Sequence, residues 1–338
     1  MRTPKDYFLI FLKGMGMGAA DVVPGVSGGT IAFIAGIYEE LLESISSIKP
    51  SLISDFKNHG IKEVWHKVNG NFLVALLSGV AISILSLAKV LTYAMHYYPI
   101  QLWCFFLGLI IASIWYVGKQ IKSWHIGTFL GLILGTALVL WLSITPPLGA
   151  NTSYLFLFLA GSIAACAMIL PGISGSFILL LLGAYSTIIT AIGNRNLTII
   201  ATVGAGAVIG LLSFSKFLKY LLKNYPNTLI ATLTGFLIGS LWKIWPWKSD
   251  ELIYVKEQGI KSAEEVLGGY QSISAYVKNA STEAFESLKP YIEHNILPST
   301  YQAINNNADP NVIYGIIFGV LGFSLIFVIE FVAKSKHV

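Results

Sequence analysis

Charge is what this sequence has least of. Only 12% of its 338 residues are Asp, Glu, Lys or Arg, against 55% hydrophobic, whereas a soluble domain carries about a quarter charged residues. That deficit over this length excludes an ordinary cytosolic protein. Cysteine is scarce too: Cys104 and Cys166 both lie inside apolar runs, which excludes a disulfide framework and a thiolate metal site. The six histidines fall outside or at the ends of those runs, so no histidine-based site and no metal site is expected in the core. No basic run with interleaved aromatics exists, which removes nucleic acid as a partner despite the net charge of +5. The N-terminus is not expected to be a cleavable signal, since no small-residue cleavage site ends a short apolar core.

Long apolar runs are what the sequence has instead. Six are long enough to cross a bilayer as helices, at 71–91, 99–118, 126–143, 197–218, 226–243 and 311–333. The 32 glycines suit close helix contacts, and the 8 tryptophans and 16 tyrosines suit the two interfaces. Two other stretches, 8–42 and 152–192, are too long for one crossing and are broken near the middle by a Pro-Gly turn. Half-helices of about 15 residues would each reach roughly 22 Å, enough to enter the membrane and return. They read as re-entrant hairpins. Non-helical backbone at that depth is tolerated only against protein or a wet cavity, so both turns are expected to line the functional site.

The chain repeats itself. Gly14, Pro24, Gly25, Ser27, Gly28, Gly36 and Tyr38 match Gly161, Pro171, Gly172, Ser174, Gly175, Gly183 and Tyr185 at one offset. Gly79, Ser86, Lys89, Tyr93, Tyr98, Gly108 and Trp115 match Gly206, Ser213, Lys216, Tyr220, Tyr225, Gly235 and Trp242 at a second. The third spans share the glycine register of Gly127 and Gly131 against Gly315 and Gly319. The expected fold is an all-α polytopic membrane protein built as an inverted-topology repeat. Residues 1–147 form the first half and 148–338 the second, each one re-entrant broken-helix hairpin plus three transmembrane helices. Three spans per half is odd, so the second half enters from the opposite side. With both termini inside, 13 lysines and arginines fall on the inner segments and only Arg195 on the short outer connections. The insert 247–309, with five lysines against nine acids, then falls outside. Inverted repeats with broken helices meeting at the midplane are a transporter's build.

Two constellations could carry chemistry. The turns read Val23-Pro24-Gly25-Val26-Ser27-Gly28-Gly29-Thr30 and Leu170-Pro171-Gly172-Ile173-Ser174-Gly175-Ser176. In one reading, free backbone N–H groups at a helix start cradle an anion there. In the other, Ser27 and Ser174 are plain N-caps and the glycines only make the bend. The second constellation, Ser-x-x-Lys-x-x-x-Tyr, occurs as Ser86, Lys89, Tyr93 and as Ser213, Lys216, Tyr220. Those steps put a hydroxyl, an ammonium and a phenol on one helix face, a donor-rich patch suited to phosphate. The competing reading is a lysine snorkelling to its headgroup layer. Asp21, whose counterpart is Met168, is the candidate carrier of a coupling proton, with a hydrogen-bonded structural acid as the alternative. Residues 44–68 form a polar segment with some helical periodicity, suited to the interface.

At the paired Pro-Gly-x-Ser-Gly turns, within Ala20–Thr30 and Leu170–Gly175, the sequence resembles the PopT family of polyprenyl-phosphate transporters across nearly the whole chain. The resemblance implies a bacterial plasma-membrane protein that returns undecaprenyl phosphate from the outer to the inner leaflet for reuse in peptidoglycan and other envelope polymers. No cofactor is expected. The turn also resembles that of undecaprenyl-diphosphate phosphatases, which read Pro-Gly-x-Ser-Arg-Ser. Here the arginine position is Gly28 in one copy and Gly175 in the other. Losing a bidentate phosphate clamp twice argues against hydrolysis. The reading is a lipid-phosphate translocase rather than an enzyme, with a phosphatase-like enzyme or a small-anion transporter as alternatives.

Overall fold

The computed structural model describes residues 2–22, 27–148, 151–256, 258–276 and 287–334. The first Pro-Gly turn, with Pro24 and Gly25, and the side chain of Lys89 lie outside the described residues. The first hairpin comprises α1 (Pro4–Val22), α2 (Gly28–Ile34) and α3 (Tyr38–Ser46). After α4 (Leu52–Lys67) come α5 (Gly70–Tyr97), α6 (Pro99–Gly118) and α7 (Ile126–Ile144). The second hairpin comprises α8 (Tyr154–Ile169), α9 (Gly175–Leu181) and α10 (Tyr185–Gly193), followed by α11 (Leu197–Asn224) and α12 (Pro226–Ile244).

Each hairpin therefore breaks twice, not once as the Pro-Gly turns alone suggest. The returning arm is seven residues, a bend, then nine. The bends sit at Gly36 (φ 67) and Gly183 (φ 69), a left-handed backbone that glycine adopts without a Cβ clash. Both close in the same way: Ile37 N–H donates to Ala32 and Gly36 N–H to Phe33, as Ala184 donates to Leu179 and Gly183 to Leu180. These are paired C-terminal motifs that satisfy carbonyls left over by a short helix. In the second hairpin the two pieces meet at 108°.

Among the described residues, four helices are long and apolar enough to cross a membrane (within α5, then α6, α7 and α11), or five if α9 and α10 count as one broken span. In α12, Asn227, three threonines and Lys243 dilute the apolar stretch. The last helix, α16 (Val312–Lys334), is apolar over Val312–Phe327. Outside the insert the chain is a helical, multi-pass membrane protein. The chain divides into two compact units, Met1–Ala88 with Ser113–Ser240 and Lys89–Ala112 with Leu241–Val338. Both hairpins belong to the first.

The matched glycines earn their positions by close crossings. A Cβ on Gly14 would lie 2.1 Å from the Leu76 carbonyl oxygen and one on Gly79 2.1 Å from that of Phe11, so α1 and α5 touch backbone to backbone. Gly161 and Gly206 make the same crossing between α8 and α11, at 2.4 Å from Val203 O and 2.0 Å from Phe158 O. Among lipid tails such contacts, not hydrophobic burial, hold helices together. The third spans cross halves. In the first unit, Gly131 and Gly135 of α7 meet Thr228 and Thr232 of α12, and Gly235 meets Leu132 O at 2.3 Å. In the second unit, Gly108 of α6 meets the backbone of Gly319 in α16, and Gly322 that of Phe105.

The insert corrects the all-α expectation. It carries a three-stranded antiparallel sheet, β1 (Lys248–Val255), β2 (Gly259–Ser262) and β3 (Leu288–Asn295), in the order β2-β1-β3. Short helices α13 (Ala263–Leu267), α14 (Ile273–Tyr276) and α15 (Pro298–Ile304) flank it, with Ile253, Val255, Leu267 and Leu288 at its core. Asp250 is buried opposite Glu293 on the neighbouring strand, and its Oδ2 accepts the Ile273 N–H at 2.7 Å. Burial, reinforced by Glu293, pushes the Asp250 carboxyl up to about 7. A carboxyl raised on folding holds a proton that the unfolded chain has already released. Its contribution to stability is therefore complete below the unfolded value of 3.8 and is lost as pH rises through about 7. Between pH 4 and 7 the thermal midpoint of the parent should fall relative to Asp250→Asn, which keeps the acceptor and removes the titration. Parallel curves for the two proteins across that range would contradict this.

Candidate functional site

The two hairpin tips meet. α2 begins at Gly28 because Ser27 caps it, its extended backbone (φ −125, ψ 134) letting Oγ accept the Gly29 N–H at 3.1 Å. The same hydroxyl lies 3.1 Å from the Leu170 carbonyl and 3.3 Å from that of Met168, where α8 ends and leaves carbonyls unpaired. Thr30 Oγ1 accepts the N–H of Gly172 at 3.0 Å, and Gly172 itself turns the chain at φ 82. Gly29 allows the approach: a Cβ there would lie 2.4 Å from the Ile169 carbonyl oxygen. Ser27 and Thr30 are almost wholly buried in this clasp. One tip supplies side chains and the other supplies backbone.

The clasp consumes the donors assigned to an anion cradle. The Gly28 N–H goes to Asp21 Oδ1 at 2.7 Å, that of Gly29 to Ser27, and that of Thr30 to the Ser27 carbonyl at 3.0 Å. The reading of free N–H groups at Gly28, Gly29 and Thr30 is therefore corrected to a capped and closed tip. Asp21 is not a lone acid at a helix end. It folds back to accept at the start of α2, and a Cβ on Gly28 would lie 2.5 Å from its Oδ2.

The second tip is chemically different. Ser174 makes no side-chain cap; its hydroxyl shares a 2.8 Å hydrogen bond with that of Ser176. Ser174 is buried and Ser176 exposed, so the pair leads from the clasp to an accessible surface. Gly175 packs on α8, with a Cβ position 2.7 Å from Ala164 O. Lys13, one of the cations on the inner segments, donates its Nζ to the Ala35 carbonyl at 2.6 Å and closes the Gly36 bend. Its counterpart Ala160 cannot repeat this, a sign that was available in the repeat alignment.

The Lys216 constellation is not bonded to the clasp. Ser213, Lys216 and Tyr220 line an exposed face of α11, and no hydrogen bond among the described residues joins them to the tips. Ser213 Oγ donates to Ile209 O at 2.6 Å, and Ser86 repeats this with Ile82 O at 2.6 Å. Tyr220 and Tyr225 rings lie 6.5 Å apart, and those of Tyr93 and Tyr98 lie 6.3 Å apart. The two copies share local geometry as well as residue types. No group of three or more metal-ligating side chains occurs among the described residues.

A family model described as VCA0040-like, undecaprenyl phosphate translocase-like, matches residues 17–262. A protein of Vibrio cholerae serotype O1 named polyprenyl-phosphate transporter is 47% identical over 243 residues, covering 72% of this chain and 79% of its own length. A Staphylococcus aureus protein of the same name is 33% identical over 253 residues, covering 70% of this chain and 85% of its own. No solved structure matches.

Proposed function

The chain belongs to the undecaprenyl phosphate translocase-like family, and from that premise we propose that it carries undecaprenyl phosphate, or a related polyprenyl phosphate, across a bacterial plasma membrane. The direction is outer to inner leaflet, returning the carrier lipid for envelope synthesis, and the termini are cytoplasmic. Unassisted flipping must drag an anionic headgroup through hydrocarbon, which costs many kcal/mol for an unpaired charge. The protein supplies a polar route past the hairpin tips while the prenyl tail stays in lipid. The observation that carries this reading is the clasp, a set of hydrogen-bonding groups where the broken helices meet.

The two halves act as inverted repeats and alternate access to one site. Lys89 with Ser86 and Tyr93 receives the phosphate outside, and Lys216 with Ser213 and Tyr220 releases it inside. Between them the headgroup passes Ser174, Gly175 and Ser176 and opens the Ser27–Thr30 clasp. Asp21, one bond from Gly28, carries the coupling proton. The glycines at residues 28 and 175 fit this reading, because neither tip then carries the bidentate phosphate clamp of the phosphatases.

Headgroup accessibility of labelled undecaprenyl phosphate in reconstituted vesicles tests it. The parent should accelerate exchange, and a pH gradient should change the rate in the parent but not in Asp21→Asn. Replacing Lys89 and Lys216 together by alanine removes two charge-assisted contacts and should slow transport roughly ten- to hundred-fold. A double variant as fast as the parent would reassign both lysines. Vesicles in which the parent accelerates nothing would overturn the function.

A further inference from the structure

α4 buries none of its side chains, yet its apolar residues gather on one side. Past the break at Gly60 (φ 77), Ile61, Val64, Trp65 and the cap residue Val68 recur at helical spacing, with Glu63, His66 and Lys67 opposite. Before it, Leu52, Ile53 and Phe56 form a similar stripe. Ile53 is 66% exposed, Phe56 53%, Ile61 61% and Trp65 43%, so among the described residues nothing covers the face. Such a face needs an apolar phase.

Trp65 identifies that phase. Its ring lies where a Cβ on Gly70 would stand, 2.4 Å from the ring carbons, and its Nε1 donates to Asn71 Oδ1 at 2.8 Å. Gly70 is the first residue of α5, which is of membrane-spanning length and hydropathy. The stripe bearing Trp65 thus turns toward the end of a span, where the surrounding apolar medium is lipid. The charges agree. Asp55 and Glu63 both lie within reach of Lys67, at 2.9 and 3.7 Å, which leaves Lys57 and Lys62 as excess cations flanking the stripe.

We propose that α4 lies in the headgroup layer of the membrane, seating Ile53, Phe56 and Ile61 at the acyl boundary and Lys57 and Lys62 on anionic phospholipid headgroups. Buried apolar area and attraction to anionic lipid are the two terms that bind such helices. The helix then fixes the depth at which α5 begins. The inference rests on the chain spanning a membrane and not on what it transports.

The test uses full-length protein with Ile61→Cys carrying an environment-sensitive fluorophore, in phosphatidylcholine vesicles with or without phosphatidylglycerol. Identically treated parent corrects for Cys104 and Cys166. Emission should be blue-shifted, quenched by shallow lipid nitroxides and protected from aqueous iodide, relative to a label at Asn58 on the polar face. Lys57→Glu with Lys62→Glu should return the label toward water when phosphatidylglycerol is present. Iodide quenching equal at both positions would overturn the proposal, as would shielding from both quenchers, which marks a protein partner. Phe56→Cys serves if the first variant does not fold, and lipid-phosphate transport recorded on the same vesicles keeps the two readings separate.

Discussion

Gly29→Ala is expected to abolish transport. The added methyl would stand 2.4 Å from the Ile169 carbonyl oxygen, 2.8 Å from its carbon and 3.0 Å from the Met168 oxygen. All three are backbone atoms at the end of α8, so no side chain can rotate to make room. The tips must separate, and the first bonds to go are those from Ser27 to Met168 and Leu170. Overpacking of this kind costs about 1–3 kcal/mol, and a buried hydroxyl and carbonyl left unmatched cost about as much again. Thermal unfolding in detergent should register that loss, and vesicle exchange should drop at least roughly a hundred-fold. Gly28→Ala offers the comparison. The three atoms nearest its methyl all belong to the Asp21 carboxylate, a side chain that can swing away, so the stability loss should be smaller. Equal behaviour of the two variants would show that the clasp is not what Gly29 protects.

The second large effect is expected in the insert. Glu293 Oε1 accepts from Lys243 Nζ at 2.7 Å and from Lys248 Nζ at 2.5 Å, and Lys248 also donates to the Lys243 carbonyl. The Trp103 ring lies 5.5 Å from the Lys248 ammonium. Despite burial, the two ammonium groups hold the Glu293 carboxyl down at about 2. A carboxyl lowered on folding stabilises above its unfolded value of 4.5, and that contribution disappears as pH falls toward 2. Glu293→Ala leaves two largely buried cations without the carboxylate that both of them bond. Removing one partner of a buried pair costs about 3–5 kcal/mol. Hydrogen exchange on the whole protein should show β1 and β3 opening far more often at pH 7, and Glu293→Gln should recover only part of the loss. Unchanged protection in both strands would mean that the ion cluster is not what holds the sheet.

Much of the membrane part is legible in the sequence, because identical residues recur at fixed spacing and the backbone needs them where they recur. Gly14 with Gly79, and Gly161 with Gly206, can be paired from the alignment before any crossing is known. Gly36 and Gly183 align just as well, but a glycine inside an apolar run reads as a tolerated helix residue, so the second bend was missed. The sheet was hidden for another reason: Asp250 and Glu293 point inward, which spoils the alternation of apolar and polar residues that marks a strand. At the tips, Ser27, Thr30 and Asp21 were identifiable as residue types. Their partners were not, since a carboxylate folding back seven residues, or a hydroxyl reaching a carbonyl in the other hairpin, leaves no local pattern. Lys216 and its neighbours were placed on one helix face correctly, because that depends only on helical spacing.

The crossing of α7 with α12 bears on how the protein is made. When the ribosome has completed residues 1–147, the threonine ledge that Gly131 and Gly135 rest on does not yet exist. That helix waits among lipids until Pro226–Ile244 has followed it, and α6 waits longer still for Gly319. Residues 1–147 alone lack both of these crossings, so a gene cut after them should yield a working pair only if both products matured in one membrane.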